Sequence, residues 1–234
     1  MAYVALIPAA GSGSRIGGAA AKQYLPLAGK PMLHHSIRCV AVPPVTTVFV
    51  VLAPDDKAFC THDWSEFDGR IEPLYCGGAT RKESVLNGLV AAMDGVDADD
   101  WVLVHDAARP CLPRADLERL IAEVSGDKVG GLLALPVAET VKRVANGAHA
   151  DASGAIRVAS TEDRSQLWLA QTPQMFRAGL LAQALRDARF AVTDEASAVE
   201  MLGLQPRIVK GSRRNLKVTF PEDIAMAESL LGRP

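Results

Sequence analysis

The run Val4-Ala5-Leu6-Ile7 constrains the fold more than any other stretch. It is too short for a helix and shows no polar alternation. It therefore reads as a strand buried on both faces, which belongs in a parallel sheet. A glycine-rich loop follows at once: Pro8-Ala9-Ala10-Gly11-Ser12-Gly13-Ser14-Arg15-Ile16-Gly17-Gly18, with Lys22 just beyond. A buried strand feeding such a loop sets backbone N–H groups at the carboxyl edge of a sheet, a concavity that attracts phosphate. Arg15 and Lys22 add charge that a plain turn does not need. The stretch is expected to hold a nucleoside triphosphate. It is not a Walker loop, and it is not a dinucleotide fingerprint either, because Ile16 stands where the last glycine belongs.

The same logic runs down the chain. Val45–Leu52, Ile71–Cys76, Trp101–Val104 and Val129–Val137 read as further strands. Helical spacing separates them. Pro31 opens a helix with Leu33, Ile37 and Val40 on one face. Thr80 and Glu83 form a capping box before Val85, Leu86, Leu89, Val90 and Met93. Pro113 opens a helix carrying Leu117, Leu120, Ile121 and Val124. Leu167–Gln174 rejoins the sheet, and helices follow at about Arg177–Arg189 and Asp194–Gly203. Arg207–Val209 and Leu216–Val218 read as late strands. Thr219 and Glu222 are expected to cap a final helix. This β-α alternation predicts an α/β fold with a doubly wound, mostly parallel sheet. Residues 1–234 read as one domain.

Between about Glu139 and Thr161 the pattern changes. Thr140–Val144 and Ile156–Ser160 alternate around a polar tip from Ala145 to Ala155. That predicts a protruding β-hairpin arm, within residues 138–163, too poor in apolar residues to fold alone. A second copy of the chain is the simplest surface for it to pack on, so a homodimer is expected.

Bulk properties exclude several classes. The formal net charge is −2, so no global attraction to nucleic acid is expected. No apolar run approaches a membrane span, and the N-terminus lacks the basic region of a signal peptide. Cys39, Cys60, Cys76 and Cys111 show no metal-type pairing and read as free thiols in a cytoplasmic protein. No fused downstream enzyme is expected after the last helix.

In a doubly wound sheet, ligands bind beyond the carboxyl ends of the strands. This chain puts there the glycine loop with Arg15 and Lys22, then Gly77, Gly78 and Ser84, then Asp106, Arg109, Thr140 and Lys217. No nucleophile elbow, Cys-His pair or zinc spacing accompanies them. A cationic site with one carboxylate suits phosphate chemistry with Mg²⁺. His34, His35 and His105 read as structural, and Thr193 as the N-cap of the following helix.

Six blocks occur in order: Pro8-Ala9-Ala10-Gly11-x-Gly13-x-Arg15 with Lys22-Gln23-Tyr24; Gly77-Gly78-x-x-Arg81-x-x-Ser84-Val85; Val104 through Pro110; Asp163-Arg164-x-x-Leu167-Trp168-x-Ala170-x-Thr172-Pro173-Gln174; Thr193 through Ser197; and Asn215-x-Lys217-Val218-Thr219-x-Pro221-Glu222-Asp223. Together they resemble the 2-C-methyl-D-erythritol 4-phosphate cytidylyltransferase family. The resemblance implies a Rossmann-like nucleotidyltransferase fold and transfer of CMP from CTP to a polyol phosphate, with Mg²⁺ or another divalent cation. It implies that Ala9, Ala10, Gly11, Gly13 and Arg15 hold the CTP phosphates and that Gly78 and Ser84 lie against base and ribose. Lys22 and Lys217, with Arg15, would be the catalytic cations. Asp106 would stand at the substrate and metal end, with Arg109, Thr140 and Thr193 around the polyol phosphate. Arg164 would reach the substrate phosphate of a partner subunit from the base of the arm, with Arg157 as the competing candidate. A cytidylyltransferase for another polyol phosphate, such as ribitol 5-phosphate, is the alternative.

Overall fold

The computed structural model describes residues 1–11, 21–67, 69–144 and 155–232. Gly13, Arg15 and the tip of the arm lie outside the described residues.

β1 (Tyr3–Pro8) leads to a two-residue hairpin, β2 (Pro26–Leu27) and β3 (Lys30–Pro31), and then to α1 (Met32–Val40). β4 (Val45–Val51), β5 (Ile71–Leu74), α2 (Arg81–Ala92), β6 (Trp101–Val104), α3 (Arg114–Val124) and β7 (Gly131–Pro136) follow. The arm is β8 (Lys142–Val144) and β9 (Val158–Thr161). The chain ends through β10 (Trp168–Arg177), α4 (Ala178–Asp187), α5 (Glu195–Glu200), β11 (Arg207–Lys210) and α6 (Glu222–Leu231).

Seven strands form one sheet in the order β11-β7-β10-β6-β1-β4-β5. β1 pairs in parallel with β4 and β6, β4 with β5, and β7 with β11. Only β10 is antiparallel, lying between β6 and β7. Side-chain alternation explains why the central strands are apolar throughout. On β1, Ala5 and Ile7 face a core with α1 and α3, while Val4 and Leu6 face a second core with α2, α4 and α5. β4 and β6 divide in the same way, Val48 and Leu103 to the first core, Phe49 and Val102 to the second. Burying such a side chain is worth about 1.5–3 kcal/mol, so a central strand gains at every position. The edge strand β5 gains at fewer positions and tolerates Glu72 and Pro73.

From β1 the chain moves outward to β4 and β5, then crosses back through α2 to β6 on the other side of β1. The strand order therefore reverses between β1 and β6, and their carboxyl ends bound the crevice where doubly wound sheets bind ligands.

Several expectations need correction. Leu216–Val218 is not a strand; one backbone bond, Val218 N–H to Ala108 C=O at 2.8 Å, ties it to the β6 end of the sheet. Leu216 and Val218 instead pack on a small apolar cluster with Leu27, Met32 and Ala227 of α6. The expected cap by Thr219 and Glu222 is replaced by Asp223, whose carboxylate accepts from the N–H groups of Thr219 and Phe220. β10 continues to Arg177, which pairs with Trp101, so α4 starts one residue later than expected. On α2, Val90 and Met93 are exposed, and the inner face is Ser84, Val85, Gly88, Leu89 and Ala92. The β8–β9 hairpin forms as expected and every residue of both strands is exposed. No helix among the described residues is long and apolar enough to cross a membrane.

Candidate active site

The crevice is built from three strand ends and the irregular stretch that carries Lys217. At the end of β1, Ala9 donates its N–H to Val51 C=O at 2.8 Å and accepts at its own carbonyl from Gln23 Nε2 at 2.7 Å. The short 3-10 turn Lys22–Tyr24 is thereby tied to the start of the glycine loop. Tyr24 secures its other side by donating to Asp56 at 2.8 Å and stacking on His62.

Beyond β5, the turn at Gly77-Gly78 comes so close to its neighbours that side chains are excluded. A Cβ on Gly77 would lie 2.2 Å from Ala10 Cβ, and one on Gly78 would lie 2.4 Å from Glu83 Cβ. The expected capping box of Thr80 and Glu83 is present. Ser84 Oγ accepts from Gly78 N–H at 3.1 Å and donates to Thr80 C=O at 3.0 Å, so this hydroxyl shapes the turn.

At the end of β6, His105 is fully buried. Its Nε2 faces Arg109 C=O at 3.0 Å and must carry the proton, so Nδ1 accepts from Thr172 Oγ1 at 3.1 Å. Thr172 Oγ1 in turn accepts from Asp106 N–H at 3.0 Å. Burial pushes the imidazole down to about 4, so it is neutral at pH 7. The Asp106 side chain meets Lys217 Nζ at 2.8 Å on Oδ2 and Arg81 Nε at 3.0 Å on Oδ1, with Arg109 Nε 3.8 Å away. Burial alone would raise this carboxyl; Arg81, Lys217 and Arg109 reverse that and hold it well below the usual carboxylate range.

Lys217 sits on an irregular stretch, yet the stretch is pinned. Asn215 Nδ2 donates to Thr172 C=O at 2.7 Å, and Asn215 C=O accepts from Arg109 Nη1 at 2.7 Å. Gln171 Nε2 reaches Ser212 C=O at 3.0 Å. β10 bulges here: the three residues between Ala170 and Gln174 stand against one, Leu133, on β7. Such bulges re-aim side chains, and this one turns Gln171 and Thr172 toward the crevice.

Two adjoining clefts result. The larger, about 540 Å³, is lined by Ala9, Ala10, Gly11, Lys22, the segment Gly78–Arg81, Ser84, Asp106 and Lys217, among others. The smaller, about 200 Å³, is lined by Arg109, Gln171, Thr172, Gln174, Thr193 and Asp194, and shares Arg81, Asp106 and Lys217 with the first. The larger is lined by the glycine-loop start, the turn that opens α2, and both Lys22 and Lys217, which is a setting for an extended polyanion. The smaller is compact and mixed in charge.

The sequence matches the model of the family described as 2-C-methyl-D-erythritol 4-phosphate cytidylyltransferase over residues 3–233. A protein of that name from Laribacter hongkongensis is 58% identical over 98% of this chain and 96% of its own length. Another of that name, from Thiobacillus denitrificans, is 53% identical over 100% of this chain and 99% of its own. A crystal structure described as 4-diphosphocytidyl-2C-methyl-D-erythritol synthase superposes with a TM-score of 0.81 at 38% identity, covering 98% of both chains. The chain belongs to the 2-C-methyl-D-erythritol 4-phosphate cytidylyltransferase family.

Of the residues that the family resemblance singled out, Ala9, Ala10, Gly11, Lys22, Gly78, Ser84, Asp106 and Lys217 line the larger cleft. Arg109 and Thr193 line the smaller. Gly13 and Arg15 lie outside the described residues. Thr140 is exposed, precedes β8 rather than standing on it, and lines neither cleft. Arg164 opens a short 3-10 turn at the base of the arm, donates to Ala138 C=O, and also lies outside both clefts. The N-cap of α5 is Asp194, whose carboxylate accepts from Ser197 N–H, and not Thr193. Thr193 is left exposed at the mouth of the smaller cleft.

Arg81, Glu195, Thr172 and Asn215 also build the site, beyond the residues expected to carry it. Arg81 had a readable signal. It is the first residue of α2, where the helix dipole disfavours a cation, so a carboxylate partner nearby is favoured. Nothing in the sequence shows that Thr172 and Asn215 meet.

Proposed function

We propose that the chain transfers CMP from CTP to 2-C-methyl-D-erythritol 4-phosphate, giving 4-diphosphocytidyl-2-C-methyl-D-erythritol and pyrophosphate. The observation that carries this is the meeting of the two clefts at Lys217 and Asp106, where ligands in each would abut. CTP takes the larger cleft, its phosphates on Ala9–Gly11 with Gly13 and Arg15, its base and ribose against Gly78 and Ser84. The polyol phosphate takes the smaller, against Asp106, Arg109 and Thr193.

A phosphate oxygen of the polyol phosphate attacks the α-phosphorus. That bond forms as the bond from the α-phosphorus to the bridging oxygen breaks, and the electron pair leaves with pyrophosphate. No general base is required, because a phosphate monoester has its second pKa at about 6. The neutral, fully bonded His105 accords with this. The difficulty is repulsion between two polyanions, which Lys22, Lys217 and Arg15 offset while holding them in line.

Mg²⁺ would be held by Asp106 and by nucleotide phosphate oxygens. The donor set fits that arrangement. Among the described residues no three His, Cys, Asp or Glu side chains converge, and Mg²⁺ takes one or two carboxylates together with substrate phosphates and water. When bound it neutralises triphosphate charge.

The working unit is a single-domain homodimer, with the arm laid on the second copy. The arm and the adjoining strand expose Val144, Ile156, Val158, Trp168 and Leu169, apolar residues that a second copy would cover. Arg164 and Thr140, beside neither cleft of their own chain, would serve the partner's site. The free thiols Cys39, Cys60, Cys76 and Cys111 support a reducing, cytoplasmic setting.

The test is pyrophosphate release from CTP with 2-C-methyl-D-erythritol 4-phosphate, run beside ribitol 5-phosphate. Turnover with the first and little with the second is expected. Preference for ribitol 5-phosphate would overturn the assignment.

A further inference from the structure

Arg81 stands in the wall between the clefts, gripped by two carboxylates. Its Nε donates to Asp106 Oδ1 at 3.0 Å, while Nη1 and Nη2 donate to Glu195 Oε1 and Oε2 at 2.6 and 3.1 Å. Glu195 is 1% exposed and lines neither cleft, so it is out of reach of any ligand there. The turn that carries it is fixed in place. Gln174 Nε2 donates to Asp194 Oδ2 at 2.7 Å, and Gln174 Oε1 accepts from Ala196 N–H at 2.7 Å. Rigid contacts therefore run from the start of α5 through Glu195 and Arg81 to Asp106, and end at Lys217.

Lys217 is the exposed end of this series, its side chain 48% exposed against 10% for Asp106. The Lys217 ammonium has three N–H donors, and turning it toward a phosphate loosens its hold on Asp106 Oδ2. The protein groups then left to hold the buried Asp106 carboxylate are Arg109 and Arg81. Arg109 is a poor candidate. It sits 3.8 Å away, and its Nη groups serve Asn215 C=O and Ala170 C=O. Arg81 already touches the opposite oxygen of Asp106.

We infer that Arg81, anchored by the buried Glu195, is a positioning residue that holds Asp106 in place when Lys217 turns from Asp106 to the incoming phosphates. This rests on the transfer reaction proposed above. Glu195 has a second consequence. By occupying both Nη groups it keeps Arg81 from turning into the larger cleft as an additional phosphate ligand. The arginine thus acts on the step after binding rather than on binding itself.

Three proteins test this in the pyrophosphate assay: wild type, Arg81→Lys, and the paired Arg81→Met/Glu195→Met. The pair removes Arg81 and its buried partner Glu195 together, a change that folds tolerate better than removing one partner. Lysine keeps the charge but cannot fork across two carboxylates. Both variants are expected to melt cooperatively and to lose about tenfold to a hundredfold in kcat, with KM for CTP within about threefold of wild type. A folded paired variant with wild-type kcat would show the pair to be purely structural. Arg81→Lys at full activity would overturn the role of the fork. A raised KM for CTP at unchanged kcat would make Arg81 a binding residue instead. Wild type that releases no pyrophosphate would defeat the reaction itself, and this role with it.

Discussion

At the residue scale, His105 shows how a side chain beside the chemistry serves without reacting. It is neutral, closed off, and bonded at both nitrogens, so that Thr172 is free to hold the Asp106 backbone. Its depressed pKa has a sign that can be checked. Unfolded, the imidazole takes a proton near 6.5; folded, it does so only near 4. Between those values the unfolded state binds more protons, so stability falls as the pH drops through this window. His105 alone accounts for about 3 kcal/mol of that loss. The facing charges are Asp106, which titrates below this window, and Arg109, which stays charged. His34 and His35, also lowered by burial, act in the same direction. Denaturant unfolding of wild type and His105→Gln from pH 7 to pH 4 is expected to give a visibly shallower pH dependence in the variant. Equal slopes would mean that His105 is not a buried neutral group.

At the element scale, what the sequence made legible follows from what physically sets each element. The central strands were readable because they are buried on two faces and carry no polar alternation. The capping box at α2 was readable because its bonds are local. Leu216–Val218 was misread because its apolar residues pack beneath α6 and not into a ladder. The bulge in β10 and the grip of Asn215 on Thr172 depend on residues more than thirty positions apart, which no local pattern records. The helical spacing on α2 suggested that Val90 and Met93 lie inside, whereas Gly88 does. A Cβ on Gly88 would come within 2.4 Å of Val51 Cγ2 and 3.1 Å of Leu6 Cδ1, so glycine is what lets α2 close on the sheet. Gly88→Ala gains about 1 kcal/mol in helix propensity. Overpacking against a stiff valine costs about 1–3 kcal/mol. The net effect expected is destabilisation by about 1 kcal/mol, read as a lower urea midpoint at unchanged slope. A stabilised variant would mean that α2 has room to shift.

At the scale of the whole molecule, the clefts come from one chain but leave two expected site residues, Thr140 and Arg164, outside them. That division makes sense if the arm belongs functionally to a neighbour. On the proposed homodimer, Arg164→Ala and Lys217→Ala are each expected to be inactive alone. Mixed by co-unfolding and refolding, they would form some dimers in which one site has both its own Lys217 and the partner's arginine. Activity well above either parent is therefore expected after mixing. No recovery, with light scattering still reporting dimers, would place Arg164 in its own chain's site or outside function altogether.

The central claim is that a phosphate oxygen of the polyol substrate reaches the α-phosphorus of CTP where the two clefts join. It can be read from the fate of atoms. With 2-C-methyl-D-erythritol 4-phosphate carrying heavy oxygen in its nonbridging phosphate positions, mass spectrometry should find all of the label in the diphosphocytidyl product. The released pyrophosphate should carry none and form in equal amount. Label in the pyrophosphate, or CMP in place of the diphosphocytidyl product, would contradict attack at that phosphorus.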